Sequence, residues 1–186
     1  MKKIILQIIC IFSLVTLAKT DVSLYENQSD WQDQSGKTIK LNHFKNDFVV
    51  ITMVYTGCAH ACPMTISKIK EIESYLKQEK IENYHMVLAS FDIKNDTPEH
   101  LKQYMEERKL DPKHWSFLST KAESIARELS VILGIAYKDL GNNDFSHSNM
   151  LTLLDTKGVV IHKVDNLNAD LKSFSEKIKV SQSKVE

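Results

Sequence analysis

The sequence predicts an α/β fold, a mixed central sheet with helices on both faces. Three observations predict it. Two apolar, β-branched runs of strand length, 47–56 and 84–92, are each followed by an amphipathic helical stretch. A turn signal splits a later apolar stretch at 149–164. The chain of 186 residues is long enough for one sizeable core and short for two.

Taken in order, the chain opens with Lys2 and Lys3, an apolar run from Ile4 to Leu17, and small residues around Thr16-Leu17-Ala18, the pattern of a secretory signal. Residues 1–18 are read as that signal, with a retained anchor as the alternative. The run is shorter than the roughly 20 residues that span a bilayer, and Gln7 interrupts it. Cleavage would start the mature chain near Lys19, in the periplasm or another extracytoplasmic space where disulfides persist. Retention would tie the protein to the inner membrane. Of the three cysteines, Cys10 lies in the apolar run, so the exported chain would keep Cys58 and Cys62.

Residues 19–46 read as a polar N-terminal extension, in which the turn "DQSGKT" at 33–38 marks a short strand or hairpin. The run "DFVVITMVYT", 47–56, reads as a strand buried on both faces and as the natural centre of the sheet. Ile66, Ile69, Ile72 and Leu76 then recur at helical spacing up to about Gln78. A second buried strand at 84–92 precedes a helix at 97–109 with Thr97 as N-cap and Pro98 at its first position. "WSFLS", 115–119, is a short strand, and the helix after it stops at Gly134. Two strands flank the turn Asp155-Thr156-Lys157-Gly158, and a helix at 168–179 turns Leu171, Phe174 and Ile178 to one side. Residues 181–186 read as a flexible tail. This βαβα order with a final hairpin and helix, over 47–180, is the outline of a thioredoxin-like domain. Ligands of such open sheets gather at the carboxyl ends of the strands.

Charge is balanced, 24 basic against 24 acidic residues with no long run of one sign, which argues against a nucleic-acid partner. The chemistry concentrates instead in "VYTGCAHACPMT", 54–65, at the carboxyl end of the first buried strand. Cys58 and Cys62 stand at i and i+4 of the expected helix start, where β-carbons lie roughly 5 to 6 Å apart. Such a pair can close a disulfide after modest adjustment or grip one soft metal ion. The helix N-terminus favours the thiolate that either chemistry needs. A purely structural staple here would close a very small loop and constrain the unfolded chain little.

Two sulfurs leave a soft ion such as Cu(I) short of a third ligand, and a neutral imidazole would supply it. Seven histidines are candidates. His60, two residues along a helix, points roughly 200° away from Cys58. His43, His85 and His162 read as strand residues, and His100 and His114 as surface-helix and loop residues, all packed or solvated. His147 differs. It lies in "NNDFSHSNMLTLL", read as the loop that enters the final hairpin, which in thioredoxin-like domains faces the redox turn. Redox-active thioredoxins carry a cis-proline there, whereas the prolines of this chain are Pro63, Pro98 and Pro112. Met64 and Met150 lie near both motifs and read as core packing.

Three separated motifs carry a family resemblance: "YTGCAHACP" at 55–63, "FDIKNDTPEHL" at 91–101 and "DFSHSNMLTLLD" at 144–155. On them the chain resembles the Sco/SenC family of copper-binding, thioredoxin-like assembly factors for cytochrome c oxidase. The resemblance implies a bound copper ion, with Cys58 and Cys62 as thiolate ligands and His147 as the imidazole. It also implies Asp92 and Asp96 in a nearby loop, shaping the site or a partner surface, although turn and helix-cap chemistry would explain both locally. The implied partners are an apo respiratory copper enzyme, a cytochrome c oxidase subunit or similar, and a thiol-reducing protein. Two departures stand out. Ala59-His60-Ala61 replaces the Pro-Asp-x usual between the cysteines, and Ser146 replaces the aspartate usual before the histidine, with Asp144 three positions back from it. Two functions from different classes follow. One is a copper metallochaperone that delivers its ion by ligand exchange; the other is a thiol-disulfide reductase, with Cys58 or Cys62 attacking a target disulfide and the other resolving the mixed disulfide.

Overall fold

Turn chemistry opens the fold. The Asp33 carboxylate accepts the amides of Ser35 and Lys37 at 2.8 and 3.0 Å, and Gly36 takes φ 83°, closing a hairpin of β1 (Trp31–Asp33) and β2 (Thr38–Ile39). The computed structural model describes residues 22–57, 61–142, 144–165 and 169–183. The signal reading of residues 1–18 lies outside the described residues. No helix among the described residues is long and apolar enough to cross a membrane.

The apolar runs become strands where expected. β3 (Phe48–Val54) is buried at all seven positions, as a strand covered on both faces must be. α1 (Ala61–Gln78) then packs Ile66, Ile69, Ile72 and Leu76 inward, and β4 (Tyr84–Ser90) returns parallel to β3. Thr97 caps α2 (Pro98–Glu107), its hydroxyl accepting the His100 amide at 3.3 Å. After β5 (Trp115–Ser119), α3 (Glu123–Leu133) ends on Gly134 at φ 75°, the left-handed stop that a Cβ would disfavour. The chain continues through β6 (Tyr137–Gly141), β7 (Asp144–His147), β8 (Leu151–Leu154), β9 (Val160–Val164) and α4 (Ser173–Gln182).

The main sheet has the order β2-β1-β5-β4-β3-β8-β9, with β3, β4 and β5 parallel and the rest antiparallel. β4 takes the middle place and β3 the next one, a correction to the reading of 47–56 as the centre: two-sided burial does not distinguish neighbouring interior strands. On β9, His162 hydrogen-bonds Ser173 of α4, while the adjacent Lys163 reaches the Leu133 carbonyl of α3. Successive strand residues face opposite ways, so α3 and α4 cover opposite faces of the sheet. Lys179 of α4 pairs with Glu79 just past α1, putting α1 on the α4 side.

Three further positions differ from the sequence reading. His43 lies in a 3-10 turn, Leu41–Phe44, rather than a strand. The last helix begins at Ser173, with Leu171, Phe174 and Ile178 buried as expected. The largest difference is β6 and β7, which pair as a separate two-stranded hairpin, so that His147 ends a strand and does not sit in a loop. The alternation there is weak, because most of its side chains are exposed and only part of one face is covered.

The N-terminal strap sits at the amino pole of the sheet. Ser23 bridges Val159, the Leu24 amide donates to the Gly158 carbonyl at 2.8 Å, and the Tyr25 hydroxyl donates to the Phe44 carbonyl at 3.1 Å. A Cβ on Gly158 would fall 2.5 Å from the Tyr25 ring, on a residue that already holds φ 81°. Gly158→Ala should therefore cost more than about 1 kcal/mol in urea unfolding, through both strain and collision.

His85 supplies an acid sensitivity. Its ring is largely buried against Phe44, centroids 4.9 Å apart, and Nε2 meets the Ser116 hydroxyl at 2.9 Å. Burial, aided by the nearby His114 and His43, lowers its pKa from 6.5 to about 4. The unfolded chain therefore binds the proton more readily, and stability should fall as pH drops from about 6.5 toward 4, by up to about 3 kcal/mol from this group. Urea titrations across that range should show the loss, and His85→Gln should flatten it.

Candidate functional site

At the opposite, carboxyl pole, the parallel register sets the site. Val54 pairs with Ser90, and the Phe91 amide donates to the Val54 carbonyl at 3.1 Å, so Tyr55 and Phe91 leave neighbouring strand ends side by side. Their rings meet at 5.5 Å. The β6–β7 hairpin lies over them: Phe145 stands 5.0 Å from Tyr55 and 5.2 Å from Phe91, and Tyr137 stacks on Phe91 at 4.7 Å and 12°. The Tyr55 hydroxyl donates to Asp144 at 2.7 Å, adding a polar tie. Arg127 of α3 covers the outer face of Tyr137, its guanidinium 4.1 Å from the ring centre.

His147 rests on this aromatic platform. Its ring stands edge-on to Tyr55 at 5.9 Å and 89°, and 5.3 Å from Phe91. Its Nδ1 lies 3.2 Å from the Ser148 carbonyl. A carbonyl only accepts, so that contact puts the proton on Nδ1 and leaves the Nε2 lone pair free for a ligand in the neutral ring. A histidine with its ring pinned and one nitrogen unprotonated is the form a metal requires. Asp144, the nearest acidic residue upstream, serves Tyr55 rather than the imidazole; a backbone carbonyl does the orienting that an adjacent aspartate would otherwise do.

Among the thiols, Cys62 is the second residue of α1, at the helix N-terminus as expected. Cys58 and His60 lie outside the described residues, as does the expectation that they share the first helical turn. The described chain leads up to them through Tyr55, Thr56 and Gly57. Tyr55, three residues before Cys58, touches the His147 ring, so the cysteine segment and the histidine strand meet through it. Among the described residues, no group of three His, Cys, Asp or Glu side chains is placed to hold a metal ion.

Asp92 and Asp96 are both buried, at 2 % exposure, and both are already engaged. Asp92 accepts the amides of Lys94 and Asn95 and the Asn95 side chain at 2.8 Å, the turn chemistry that the sequence suggested. Asp96 instead reaches across to Thr56 and Ser90. Burial raises its pKa, while the donors on Ser90 and Thr56 pull it back down. Neither carboxylate is free for a soft ion. Met150 packs partly buried against the core, whereas Met64 is 51 % exposed on the first turns of α1, contrary to its reading as core.

The aromatic platform was not singled out from sequence, although Tyr55, Phe91 and Phe145 lie inside the three motifs. What sequence could not supply was that the motifs meet. Tyr55 touches Phe91 and His147, and Thr56 touches Asp96, so the described start of the first motif meets the other two.

A family model described as SCO1/SenC matches residues 18–181. The chain is 26% identical over 155 residues to the SCO1 protein homolog of Bacillus subtilis (strain 168), covering 78% of this chain and 80% of that one. It spans less than two thirds of the length of the other curated relatives it matches, between 62% and 64%. Among solved structures it aligns with BsSco, described as a member of the Sco family of cytochrome c oxidase assembly proteins with a disulfide switch. The TM-score is 0.74 at 21% identity, over 89% of this chain and 97% of that one. It aligns also with Arabidopsis thaliana ScoI with copper bound, at TM-score 0.72 and 16% identity, over 83% and 96%. These two likenesses establish the shared thioredoxin-like fold. The chain belongs to the SCO1/SenC family.

Proposed function

From that membership and the setting of His147, we propose that the protein is an exported copper carrier. It takes copper as cargo between the Cys58 and Cys62 thiolates and Nε2 of His147, and passes it by ligand exchange to a respiratory copper enzyme, cytochrome c oxidase being the first candidate. The observation that carries this reading is the setting of the His147 ring: Nδ1 faces a carbonyl, Nε2 keeps its lone pair for a metal, and the ring leans on Tyr55, three residues before Cys58. Two thiolates and an imidazole make a donor set that suits Cu(I) or Cu(II) and disfavours hard ions such as magnesium or calcium. The copper held by Arabidopsis ScoI, and the assembly role described for BsSco, support the cargo and its destination.

The chain's own residues have separable tasks. Tyr55 and Phe91 hold the imidazole in place by packing, and the Ser148 carbonyl keeps its proton on the far nitrogen. Cys62 is the second residue of α1, the helix end whose partial positive charge suits anions. Three ligands leave a soft ion open to a fourth from the recipient, which is what transfer by exchange needs.

Copper titration of the reduced protein tests the claw. His147→Ala should lower copper affinity about 100-fold, roughly 2.7 kcal/mol, while two titratable thiols remain and still close a disulfide. His60→Ala should stay within about tenfold of the parent. Unchanged affinity in His147→Ala would move the reading to thiol-disulfide exchange. Export is checked separately: N-terminal sequencing of protein recovered from the cell envelope should begin near Lys19, and a full-length cytosolic chain would end that part of the proposal.

A further inference from the structure

The Asp96 carboxylate bonds Ser90, six residues back at the end of β4, and Thr56, 40 residues back past the end of β3. One carboxylate oxygen accepts the Thr56 amide at 3.1 Å and the Ser90 hydroxyl at 2.5 Å, and the other accepts the Thr56 hydroxyl. Thr56 is the second residue past β3, Ser90 is the last of β4, and Asp96 itself is 2 % exposed. One buried carboxylate thus bridges the ends of β3 and β4, two neighbouring interior strands, where the chain leads toward the cysteines. Local turn or cap chemistry does not account for it, because Thr97 caps α2 and Asp92 organises the loop. Each contact brings an N–H or O–H to an acceptor, so an ionised carboxylate is fully used and an amide in its place would set N–H against a donor. A buried carboxylate carries a desolvation cost that an apolar residue would avoid, and what it secures here is the position of Thr56.

Resting on the reading of Cys58 and Cys62 as the working thiols, we propose that Asp96 is a positioning residue for them: by holding the Thr56 amide and hydroxyl it fixes the Thr56-Gly57 backbone from which Cys58 follows, and so sets the thiol-disulfide equilibrium of the pair. Asp96 acts through Thr56, and its bond to Ser90 serves only to anchor the carboxylate to β4.

The test compares Asp96→Asn, Thr56→Val and Ser90→Ala in glutathione buffers of fixed ratio, with free thiols trapped and counted and urea unfolding run in parallel. In the reaction followed, the Cys58–Cys62 disulfide takes two electrons and two protons from two glutathione thiols, leaving the dithiol and one glutathione disulfide. Asp96→Asn should shift the equilibrium constant about tenfold, about 30 mV. Thr56→Val should shift it about threefold in the same direction, and the double variant should shift it no further than Asp96→Asn alone, as expected of two residues acting in one contact. Ser90→Ala, which also loses a buried hydrogen bond, should lose stability yet stay within about twofold of the parent equilibrium. A shift in Asp96→Asn with none in Thr56→Val would make the effect one of charge and overturn the clamp. Equal shifts in all three variants, no shift in any, or a parent that forms no Cys58–Cys62 disulfide would overturn it as well. Should Asp96→Asn not fold, Thr56→Val against Ser90→Ala decides by the same criterion. Copper is titrated independently, so a parent that binds none removes the carrier reading and leaves the glutathione result to judge Asp96.

Discussion

Seven consecutive parallel pairs join β3 to β4, from Phe48 with Tyr84 to Val54 with Ser90, and this register is the constraint on which the functional pole depends. Slipping it by one residue would invert every side chain of one strand relative to the other. Both strands are buried along nearly their whole length, so such a slip has no solvent-facing side to exploit. With the register held, Tyr55 and Phe91 emerge side by side, Thr56 comes opposite the loop that carries Asp96, and the hairpin bearing His147 finds an aromatic surface to settle on. The core thus determines the site by fixing where two strands end.

The docking of that hairpin is unequal in its parts. β6 and β7 pair with each other and belong to no larger sheet, and most of their residues are exposed. A lone two-stranded hairpin is marginal in water. Here Tyr137, Phe145 and His147 supply the missing face by packing on Tyr55 and Phe91, and the Tyr55 hydroxyl adds a bond to Asp144. The imidazole is therefore a structural contact of its hairpin while its Nδ1 is held by the Ser148 carbonyl.

How much of this was legible in sequence depended on how locally each feature is determined. Two-sided burial made β3 and β4 visible as apolar runs, Thr97-Pro98 and Gly134 announced the ends of helices, and the Asp155–Gly158 turn announced the last hairpin, because each is set by residues a few positions apart. The rank of β3 and β4 in the sheet was not legible, since neighbours in the order leave no mark on either run. The β6–β7 hairpin was missed because its stability comes from Tyr55 and Phe91, rings far upstream of it in the chain. Motif resemblance brought out Cys58, Cys62 and His147, and the structure adds Tyr55 and Phe91 as the ground beneath the histidine. It also divides the two aspartates, which look equivalent in sequence: Asp92 closes its own loop, and Asp96 reaches a different motif. The missing aspartate before His147 turns out to be replaced by a main-chain carbonyl, which no side-chain pattern could announce.

The strap of residues 23–25 gives the molecule a handle and a tip. Ser23 and Leu24 are stitched to the β8–β9 turn, which the pairing of Val49 with Leu154 places beside the beginning of β3, whereas His147 lies past its end. A seven-residue strand separates the two by about 20 Å. The described chain thus enters the fold at the handle. The tip, with the His147 imidazole, stands at the opposite end of the strand, so whatever meets the imidazole does so at the pole remote from where the chain enters.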